Sequence, residues 1–388
     1  MNRVCSIFAQ LLHLFPRIKF QEAVRQHQAE RHARGFNCWT QFVAMLFCQL
    51  GQAKSLREIC NGLRAIEGKM KHLGIANPPN KSTLAYANEH RPWQLYQTVF
   101  GQLLSQCEGL AKGKKKFRFK NKLLSMDSTS IELCASLFDW AKFKRAKGAA
   151  KVHMVLDHEG YLPHYAVITD GKQSDQAVAR TLHFEPDTIL VIDRGYVDYS
   201  WWQILTDQGV YFVTRFKKDL KIQVVEEREI PQTGGILRDQ VIQFCGEKSR
   251  KFTIRLRLIT LWDPDKQVEI QFLTNHLKFG ATTIARVYKE RWQIEIFFKA
   301  LKQLLRVKTF VGTSANALHI QIWTALIAML LVKYLQMKSA FGWSLSNLVA
   351  LLRQQLFVYR DLYRWIDSPF EAPPVLAGIH DGQLALEF

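Results

Sequence analysis

The spacing of apolar and polar residues changes twice along the chain. It is helical up to about residue 110, strand-like from about 118 to 276, and helical again from Ala281 to about Ile366. In the middle region, short strands are followed by a strand–helix–strand–helix order, which favours a mixed α/β sheet. From 219 to 276, polar and apolar residues alternate between glycine-containing turns, and this predicts an antiparallel β insertion.

The N-terminal helical region contains a predicted helix pair. Cys38–Leu50 is an apolar helix that ends at Gly51, and Ser55–Leu63 begins with a serine that is followed three residues later by Glu58. That spacing is typical of a capping box, in which the two side chains satisfy backbone N–H groups at the start of a helix. Two helices joined by a short turn also occur in DNA-binding proteins, so this pair is a candidate DNA-binding unit.

Composition and charge narrow the class of partner. The 388-residue chain is 48% hydrophobic, and its 53 Lys and Arg residues exceed its 34 Asp and Glu residues. A formal charge of +19 favours a polyanionic partner, either nucleic acid or an anionic membrane surface. The longest apolar run, 320–332, is interrupted by Gln321 and Thr324, and we predict a core helix there rather than a membrane span.

Cysteine usage indicates the compartment. The seven cysteines include no pair at C-x-x-C spacing, so neither a zinc site nor a disulfide framework is indicated. An odd number of scattered cysteines fits a reducing cytoplasm. We therefore expect a cytoplasmic protein, and because no membrane anchor is predicted we expect that it does not bind membranes.

The densest basic run covers Lys112–Lys122 and interleaves with Phe117 and Phe119. Such charge runs are most often solvated linkers. The alternation of basic and aromatic residues instead favours a basic edge strand that contacts DNA phosphates. The candidate contacts are Lys114, Lys115, Lys116, Arg118 and Lys120.

Three acidic residues are candidate metal ligands. Asp127 ends the strand 123–127 and Asp193 ends the strand 189–193, and open α/β sheets bind ligands beyond the carboxyl ends of their strands. Each aspartate alone could equally begin a turn. Glu295 lies on an apolar helix, where a buried charge needs a partner or a metal. Together the three carboxylates could hold two divalent ions about 3.5–4 Å apart for in-line displacement at phosphorus, and Mg²⁺ suits such ligands.

The segment that carries Glu295 is predicted to be one continuous helix with a polar stripe. A helix turns by about 100° per residue. On such a helix four polar residues lie on one face within about 60° of one another: Tyr288, Arg291, Glu295 and Lys302. Arg291 and Lys302 are candidate phosphate contacts. Tyr288 is a candidate hydrogen-bond donor to the same DNA backbone or a packing residue, and Glu290 faces elsewhere. The alternative is a ladder of intrahelical ion pairs around Glu295.

These residues, in this order, resemble the DDE transposases of bacterial insertion sequences. The resemblance rests on Asp127 in Ser-Met-Asp-Ser-Thr, on Asp193 in Ile-Asp-Arg-Gly-Tyr, and on a Y-x2-R-x3-E-x6-K spacing from 288 to 302. This last spacing marks the insertion-sequence-four branch. The resemblance covers about residues 118–335, and the N-terminal region looks like the helical domain that often precedes this core.

The resemblance implies an RNase H-like core interrupted by a β insertion. It implies an enzyme that uses two Mg²⁺ ions, with Mn²⁺ as a substitute. Such an enzyme nicks double-stranded DNA at terminal inverted repeats and joins the freed 3′ hydroxyl to target DNA, within a homodimeric synaptic complex. The corresponding metal ligands are Asp127, Asp193 and Glu295. The corresponding DNA contacts are Tyr288, Arg291 and Lys302, with Arg194 as a further phosphate candidate.

One feature departs from some relatives, which place a tryptophan in the last insertion strand to stack on a flipped base during a hairpin step. This chain has Ile270 and Phe272 there, and Trp262 lies in the preceding strand. Because stacking of a base on an aromatic ring contributes about 1–3 kcal/mol, Phe272 and Trp262 are the candidate stacking residues. Packing within the sheet is the alternative role of Trp262.

We expect five segments along the chain. They are a helical N-terminal DNA-binding domain (1–110), the first part of the catalytic core (111–218), the β insertion (219–276), the second part of the core with the Glu295 helix (277–335), and a C-terminal helical region with a role in dimerisation (336–388). The alternative functions are an RNase H-like two-metal nuclease without strand transfer and a catalytically inactive DNA-binding protein. A membrane-surface protein would explain the charge but not the strand-end aspartates.

Overall fold

The computed structural model describes residues 5–371, except 32, 67–68, 135–141, 144–146, 218–220, 246–251, 253 and 306–309. In the described residues, a group of helices precedes a ten-stranded mixed sheet, and further helices follow it. The predicted order of a helical region, a mixed α/β sheet and a second helical region is confirmed.

Six α-helices and a short 3₁₀ helix, Lys69–Leu73, make up the described part of the N-terminal region. The α-helices are α1 Ile7–Leu12, α2 Arg17–Gln26, α3 Cys38–Leu50, α4 Leu56–Arg64, α5 Lys81–His90 and α6 Gln94–Ala111. The hydroxyl of Ser55 caps α4 by accepting from the Glu58 backbone N–H at 3.1 Å, and the Glu58 carboxylate accepts from the Lys54 backbone N–H at 2.8 Å. The predicted helix pair is therefore present. Every residue of α3 is buried, so α3 cannot contact a DNA groove and only α4 presents an outer face.

Replacing the cap of α4 tests how much this local structure contributes. Ser55→Ala removes the acceptor for the Glu58 N–H group, so we expect a loss of about 1 kcal/mol in the free energy of unfolding. Urea denaturation followed by circular dichroism measures it. Ser82→Ala is the control, because Ser82 is exposed within α5 and the N-cap residue of that helix is Asn80. Equal losses in both variants would refute the cap.

One sheet contains the ten strands of the described residues. They are β1 Leu123–Cys134, β2 Lys142–Phe143, β3 Lys147–Asp157, β4 Leu162–Asp170, β5 Ile189–Ile192, β6 Tyr211–Arg215, β7 Ile222–Glu227, β8 Ile236–Phe244, β9 Leu256–Asp263 and β10 Val268–Thr274. The order is β2-β3-β1-β5-β6-β10-β9-β8-β7, and β4 pairs with β3. The pairs β1–β5 and β5–β6 are parallel and the other pairs are antiparallel. The β insertion thus extends the main sheet, because β10 pairs directly with β6.

Helices cover both faces of the central strands. α7 Asp175–Ala179 and α8 Tyr199–Asp207 lie between β4 and β6 in the chain, and α9 Ala281–Lys289 follows β10. Residues of β5 alternate between a cluster that contains the tryptophans of α8 and a cluster that contains the apolar face of α9. This double burial explains why β5 reads as a continuous apolar run.

The remaining helices share a core with the N-terminal region. They are α10 Trp292–Leu305, α11 Ala315–Lys338, α12 Leu345–Gln355 and α13 Leu362–Asp367. One hydrophobic cluster joins α1 to α6, one face of β3, and α10 to α13. α11 is long and apolar enough to cross a membrane, but 83% of its most apolar window is buried inside the protein. The prediction of a core helix at 320–332 is therefore confirmed.

The C-terminal segment packs on the N-terminal helices of its own chain. The backbone N–H groups of Ile7 and Phe8 donate to the carbonyls of Val358 (3.1 Å) and Leu356 (2.8 Å). The predicted N-terminal segment (1–110) and the predicted C-terminal segment (336–388) therefore share one hydrophobic core in the described residues. Residues 372–388 of the predicted C-terminal region lie outside the described residues.

The prediction of a basic edge strand over Lys116–Lys120 is wrong. After α6 the run is irregular, and in the described part of the chain no residue from 112 to 122 belongs to a strand. Phe117 and Phe119 stack on each other at 5.0 Å, and Phe119 packs on Phe279 at 5.0 Å. The aromatic residues of the run therefore anchor the segment to the protein.

Candidate active site

The two aspartates lie side by side at the carboxyl ends of two neighbouring central strands, β1 and β5. The parallel register of β1 and β5 ends at the pair Met126 and Ile192. Asp127 is the next residue of β1, and Asp193 is the first residue after β5. Asp127 does not end its strand as predicted, because β1 continues to Cys134 through its antiparallel pairing with β3. It still stands one residue past the last parallel pair, which is the position that the sequence indicated.

The predicted continuous helix from Tyr288 to Lys302 is wrong. α9 ends at Lys289 and α10 begins at Trp292, so Glu290 and Arg291 form a tight turn between two helices. Backbone N–H groups at this turn donate to the residue three positions earlier, as in Arg291 to Tyr288 at 3.0 Å. The helical wheel holds within α10, where Glu295 and Lys302 share a face, but it does not carry across the turn.

Arg291 links two of the three acidic residues. Its Nη2 lies 2.5 Å from Oε1 of Glu295, and its Nη1 lies 3.5 Å from Oδ2 of Asp127. The guanidinium also lies 5.7 Å from the ring centre of Tyr288. The ion pair between Arg291 and Glu295 is the first step of the intrahelical ladder that the sequence left open, but the second contact, to Asp127 on the sheet, is not part of such a ladder.

The pKa of Asp127 is raised to about 6, mainly by burial. The negative charges of Asp193 and Glu295 raise it further, while the Ser128 backbone N–H, which donates to Asp127 at 2.8 Å, and the Arg291 guanidinium lower it. Asp127 therefore interacts electrostatically with both of the other acidic residues. Concentrated like charge of this kind requires a counter-cation.

The donor set fits a hard divalent cation. Three carboxylates supply the oxygen ligands that Mg²⁺ and Mn²⁺ prefer, and their mutual repulsion would be relieved by added positive charge. As they stand, no three His, Cys, Asp or Glu side chains in the described residues are close enough together to hold a metal ion. In this arrangement Arg291 supplies the counter-charge between Asp127 and Glu295.

Two open cavities flank the carboxylates. The larger, of about 890 Å³, lies between the β insertion and the α9–α10 turn, and its lining includes Lys116, Asp193, Arg215, Trp262, Arg291 and Trp292. We call it the insertion cleft. The second, of about 520 Å³, is lined by Asp127, Ser128, Thr129, Glu295, Phe298, Lys299, Lys302 and Gln303. We call it the α10 groove.

The predicted DNA contacts are distributed unevenly around these cavities. Lys302 is exposed in the α10 groove, and Arg194 is exposed in a 3₁₀ turn directly after Asp193. Tyr288 is partly buried against Phe272 (5.1 Å) but still lines the insertion cleft. Lys302 and Arg194 are therefore accessible to DNA phosphates, whereas Tyr288 could contact DNA only through the exposed edge of its ring.

The basic run reaches the insertion cleft at one residue. Lys116 lines the cleft and forms an ion pair with Glu290 at 2.6 Å. Lys114 and Lys115 donate to the carbonyls of Met337 (3.3 Å) and Lys120 (3.2 Å). The side chains of Arg118 and Lys120 are exposed outside both cavities.

The two candidate stacking residues differ in exposure. Phe272 is only 3% exposed and packs on Tyr288, so little of its ring faces the cleft. Trp262 is 41% exposed on β9 and lines the insertion cleft. Of the two, only Trp262 presents a free aromatic face.

The sequence interpretation missed three residues at the site. Arg215 ends β6 at the same sheet edge as Asp193, and the pattern of an apolar strand followed by a polar residue could have revealed it. Lys299 lies one turn after Glu295 in the α10 groove. Trp292 is 59% exposed in the insertion cleft, and no pattern marks it, because its exposure follows from the turn that precedes α10.

A mixed sheet that carries Asp127 and Asp193 at the carboxyl ends of neighbouring parallel strands, beside open cavities lined by Lys and Arg side chains, is the arrangement expected of an enzyme that acts on nucleic acid. Residues 118–331 match the family described as Transposase DDE domain, and residues 4–76 match a domain of unknown function, DUF4372. The chain belongs to the DDE transposases of bacterial insertion sequences. Enzymes with this domain use divalent metal ions.

Two relatives found by sequence comparison agree with this assignment. The chain is 31% identical over 306 residues to a candidate transposase, y4zB, from Sinorhizobium fredii, with 78% of this chain and 83% of that protein covered. It is 28% identical to a candidate transposase of insertion sequence element IS5377 from Geobacillus stearothermophilus, with 68% and 70% covered. Among solved structures, the piggyBac transposase synaptic complex with hairpin DNA is similar at 11% identity and a TM-score of 0.44, covering 97% of this chain and 84% of that one.

Proposed function

We propose that this transposase cuts double-stranded DNA at terminal inverted repeats and joins the freed 3′ hydroxyl to target DNA. In this proposal the sheet around β1 and β5 is an RNase H-like core, and Asp127, Asp193 and Glu295 bind two Mg²⁺ ions, which Mn²⁺ can replace. The observation that supports it best is that Asp127 and Asp193 leave adjacent parallel strands while Arg291 joins Asp127 to Glu295. The bound ions would stabilise the attacking and leaving oxygens of the displacement.

The cationic side chains around the carboxylates would hold the DNA backbone. Lys299 and Lys302 in the α10 groove and Arg215 in the insertion cleft lie on either side of the acidic residues. Positively charged groups in these positions would fix the phosphodiester and offset charge that develops during displacement. Trp262, exposed in the insertion cleft, would stack on an unpaired base of the DNA end.

The N-terminal region would bind DNA through α4. Leu56, Ile59, Cys60 and Leu63 bury one face of this helix. The opposite face exposes Arg57, Asn61 and Arg64, which lie one turn apart. A groove of about 340 Å³ places Lys54, Arg57 and Lys81 together beside Phe310 and Val311. Because Phe310 follows α10 closely in the chain, DNA lying along the α10 groove would extend toward this basic face.

Neutralising the α4 face should weaken DNA binding in a salt-dependent way. Arg57→Gln with Arg64→Gln removes two phosphate contacts, so the slope of log K against log salt should fall by about 2. Fluorescence anisotropy with terminal-repeat DNA at several salt concentrations measures the slope. The matched control is Lys19→Gln with Arg25→Gln on α2, where two exposed cations are removed from another helix. An unchanged slope in the α4 variant would refute the proposed face.

A purified reaction separates the proposed function from its alternatives. Terminal-repeat DNA is incubated with the full chain, Mg²⁺ and a supercoiled target plasmid. Transposition predicts nicking at the repeat end followed by joining of that 3′ end to the plasmid. Nicking without joining would favour an RNase H-like nuclease, and binding without nicking would favour an inactive DNA-binding protein.

We further propose that two protomers bridge two DNA ends in a synaptic complex, and that the protein acts in the cytoplasm at the nucleoid. Two ends must be cut and joined in concert, which a homodimer accomplishes by presenting one active site to each end. Size-exclusion chromatography with light scattering, with and without terminal-repeat DNA, tests this assembly.

A further inference from the structure

Glu290 and Arg291 are consecutive residues that point in opposite directions. Glu290 is 6% exposed and faces the interior, while Arg291 reaches the carboxylates at the sheet edge. The turn between α9 and α10 is short, and its N–H groups bond to carbonyls three residues earlier, including Gln293 to Glu290 at 3.0 Å. Any contact that fixes the Glu290 side chain therefore also fixes the direction in which Arg291 leaves the backbone.

Both carboxylate oxygens of Glu290 are occupied. Lys116 lies 2.6 Å from Oε1, and the Tyr161 hydroxyl donates to Oε2 at 3.1 Å. His158 Nδ1 lies 4.0 Å from Oε2, and the other ring nitrogen of His158 is bonded to the Ser125 hydroxyl at 2.6 Å. Burying a charge is costly unless it is paired. Both oxygens of this buried carboxylate are paired, so its position is fixed by the contacts from Lys116 and Tyr161.

Tyr161 is held in an unfavourable backbone conformation. Its φ of 55° lies in the left-handed region, which costs a bulky residue about 1–3 kcal/mol. The Lys333 ammonium lies 5.5 Å from the ring centre of Tyr161, while the hydroxyl reaches Glu290. Strain of this kind persists only where the surroundings fix the residue, and here it directs a hydroxyl at Glu290.

The contacts of Glu290 join the parts of the protein that form the active site. Ser125, reached through His158, lies two residues before Asp127 on β1. Lys116 belongs to the basic segment and lines the insertion cleft. Lys116 and Glu290 also line a neighbouring cavity of about 530 Å³, so their ion pair forms the wall between that cavity and the cleft.

We infer that Glu290 is a positioning residue: it anchors the turn between α9 and α10 and thereby aims the Arg291 guanidinium at the catalytic carboxylates. This role rests on the proposed DNA cleavage. It differs from a contribution to stability alone, because it acts through one catalytic side chain. The neighbouring cavity is not a second DNA site, since its four lysines are balanced by Glu108, Asp157, Glu159 and Glu290.

The first test is Glu290→Gln. Glutamine keeps the size and an acceptor for Tyr161 but removes the charge that pairs with Lys116. Per folded molecule, kcat for cleavage of terminal-repeat DNA should fall about 10- to 100-fold, as for other residues that orient a catalytic group, while KM for that DNA changes less than about threefold. An unchanged kcat would overturn the inference.

A matched control separates positioning from stability. Asp239 forms an ion pair with Arg257 between β8 and β9, with Asp239 Oδ1 2.7 Å from Arg257 Nε, and its carboxylate is buried like that of Glu290 (2% and 6% exposed). Neither Asp239 nor Arg257 lines the two cavities beside the carboxylates. Asp239→Asn should lower the thermal midpoint without lowering kcat per folded molecule. If Glu290→Gln shows the same pattern as Asp239→Asn, its role is structural and the inference fails.

A double-mutant cycle tests whether Glu290 acts through Arg291. In an Arg291→Lys background, Glu290→Gln should reduce kcat by much less than it does in the native background, because the positioned group is already absent. Fully additive losses would overturn the inference. Should Glu290→Gln fail to fold, Tyr161→Phe removes only the hydroxyl bond and should lower kcat in the same direction. Loss of cleavage in a separate Asp193→Asn variant confirms the reaction itself, so failure of the two proposals can be told apart.

Discussion

Asp193→Asn is expected to abolish strand cleavage while terminal-repeat DNA still binds. Asn keeps the shape of the side chain but removes a negative charge next to Asp127, and the amide is a poor ligand for a hard divalent ion. Loss of one such electrostatic group should reduce cleavage by on the order of 10²–10³-fold or more. A gel assay with end-labelled DNA in Mg²⁺ measures nicking, and anisotropy measures binding.

The control for this variant is Asp207→Asn. Asp207 is an exposed carboxylate at the end of α8 that accepts from Gln203 at 2.8 Å, so it carries the same charge away from the carboxylate edge. It should cleave at the native rate. Cleavage by Asp193→Asn at a rate close to that of Asp207→Asn would contradict the metal-ligand role, even if the chain remained a member of its family.

The position of Asp193 shows why the sheet edge could be predicted from the sequence. β5 is buried on both faces, so its residues are apolar without interruption, and the first polar residue after them must lie at the strand end. Asp127 could be placed from the short predicted strand 123–127, and its position beside Asp193 follows from the parallel pairing of β1 and β5 in the structure. That β1 continues past Asp127 depends on its pairing with β3, which is a long-range contact that local periodicity does not contain.

The break between α9 and α10 could not be predicted for a related reason. The segment from Tyr288 to Trp292 contains neither glycine nor proline, and its residues are compatible with a helix. The turn is held by side chains that are far apart in sequence, Lys116 and Tyr161 on one side and Asp127 on the other. Tertiary contacts of this strength override local helix preference.

The basic run illustrates the opposite error. Alternating Phe117 and Phe119 have the period of a strand, but a strand exists only where a neighbour accepts its backbone hydrogen bonds. Here the two rings stack and one packs on Phe279, so the alternation serves to anchor an irregular segment. The same anchor places Lys116 beside Glu290. The helical wheel had placed Glu290 away from the face of Arg291 and Glu295, but it could not show that Glu290 pairs with the basic run.

Arg291 should have the second large effect, and its substitution can be followed without cleavage. Arg291→Ala removes the only cation that contacts both Asp127 and Glu295 among the described residues, so the carboxylates repel one another without compensation. In the absence of divalent ions we expect a lower thermal midpoint than in the native protein. Added Mg²⁺ should raise the midpoint more in this variant than in the native chain, because the ions then supply the missing counter-charge.

Cleavage by Arg291 variants should follow the geometry of the side chain. Arg291→Lys keeps the charge but not the planar fork that spans two carboxylates, so we expect cleavage to fall by on the order of 10²-fold, with a larger loss in Arg291→Ala. Arg286→Ala is the control: Arg286 is exposed on the preceding helix and lies over Phe117 at 5.7 Å. A native rate in Arg291→Lys would show that charge alone is needed there. A thermal midpoint that responds to Mg²⁺ equally in the native, Arg286→Ala and Arg291→Ala proteins would contradict the counter-charge role, because the carboxylates would then be independent of this guanidinium.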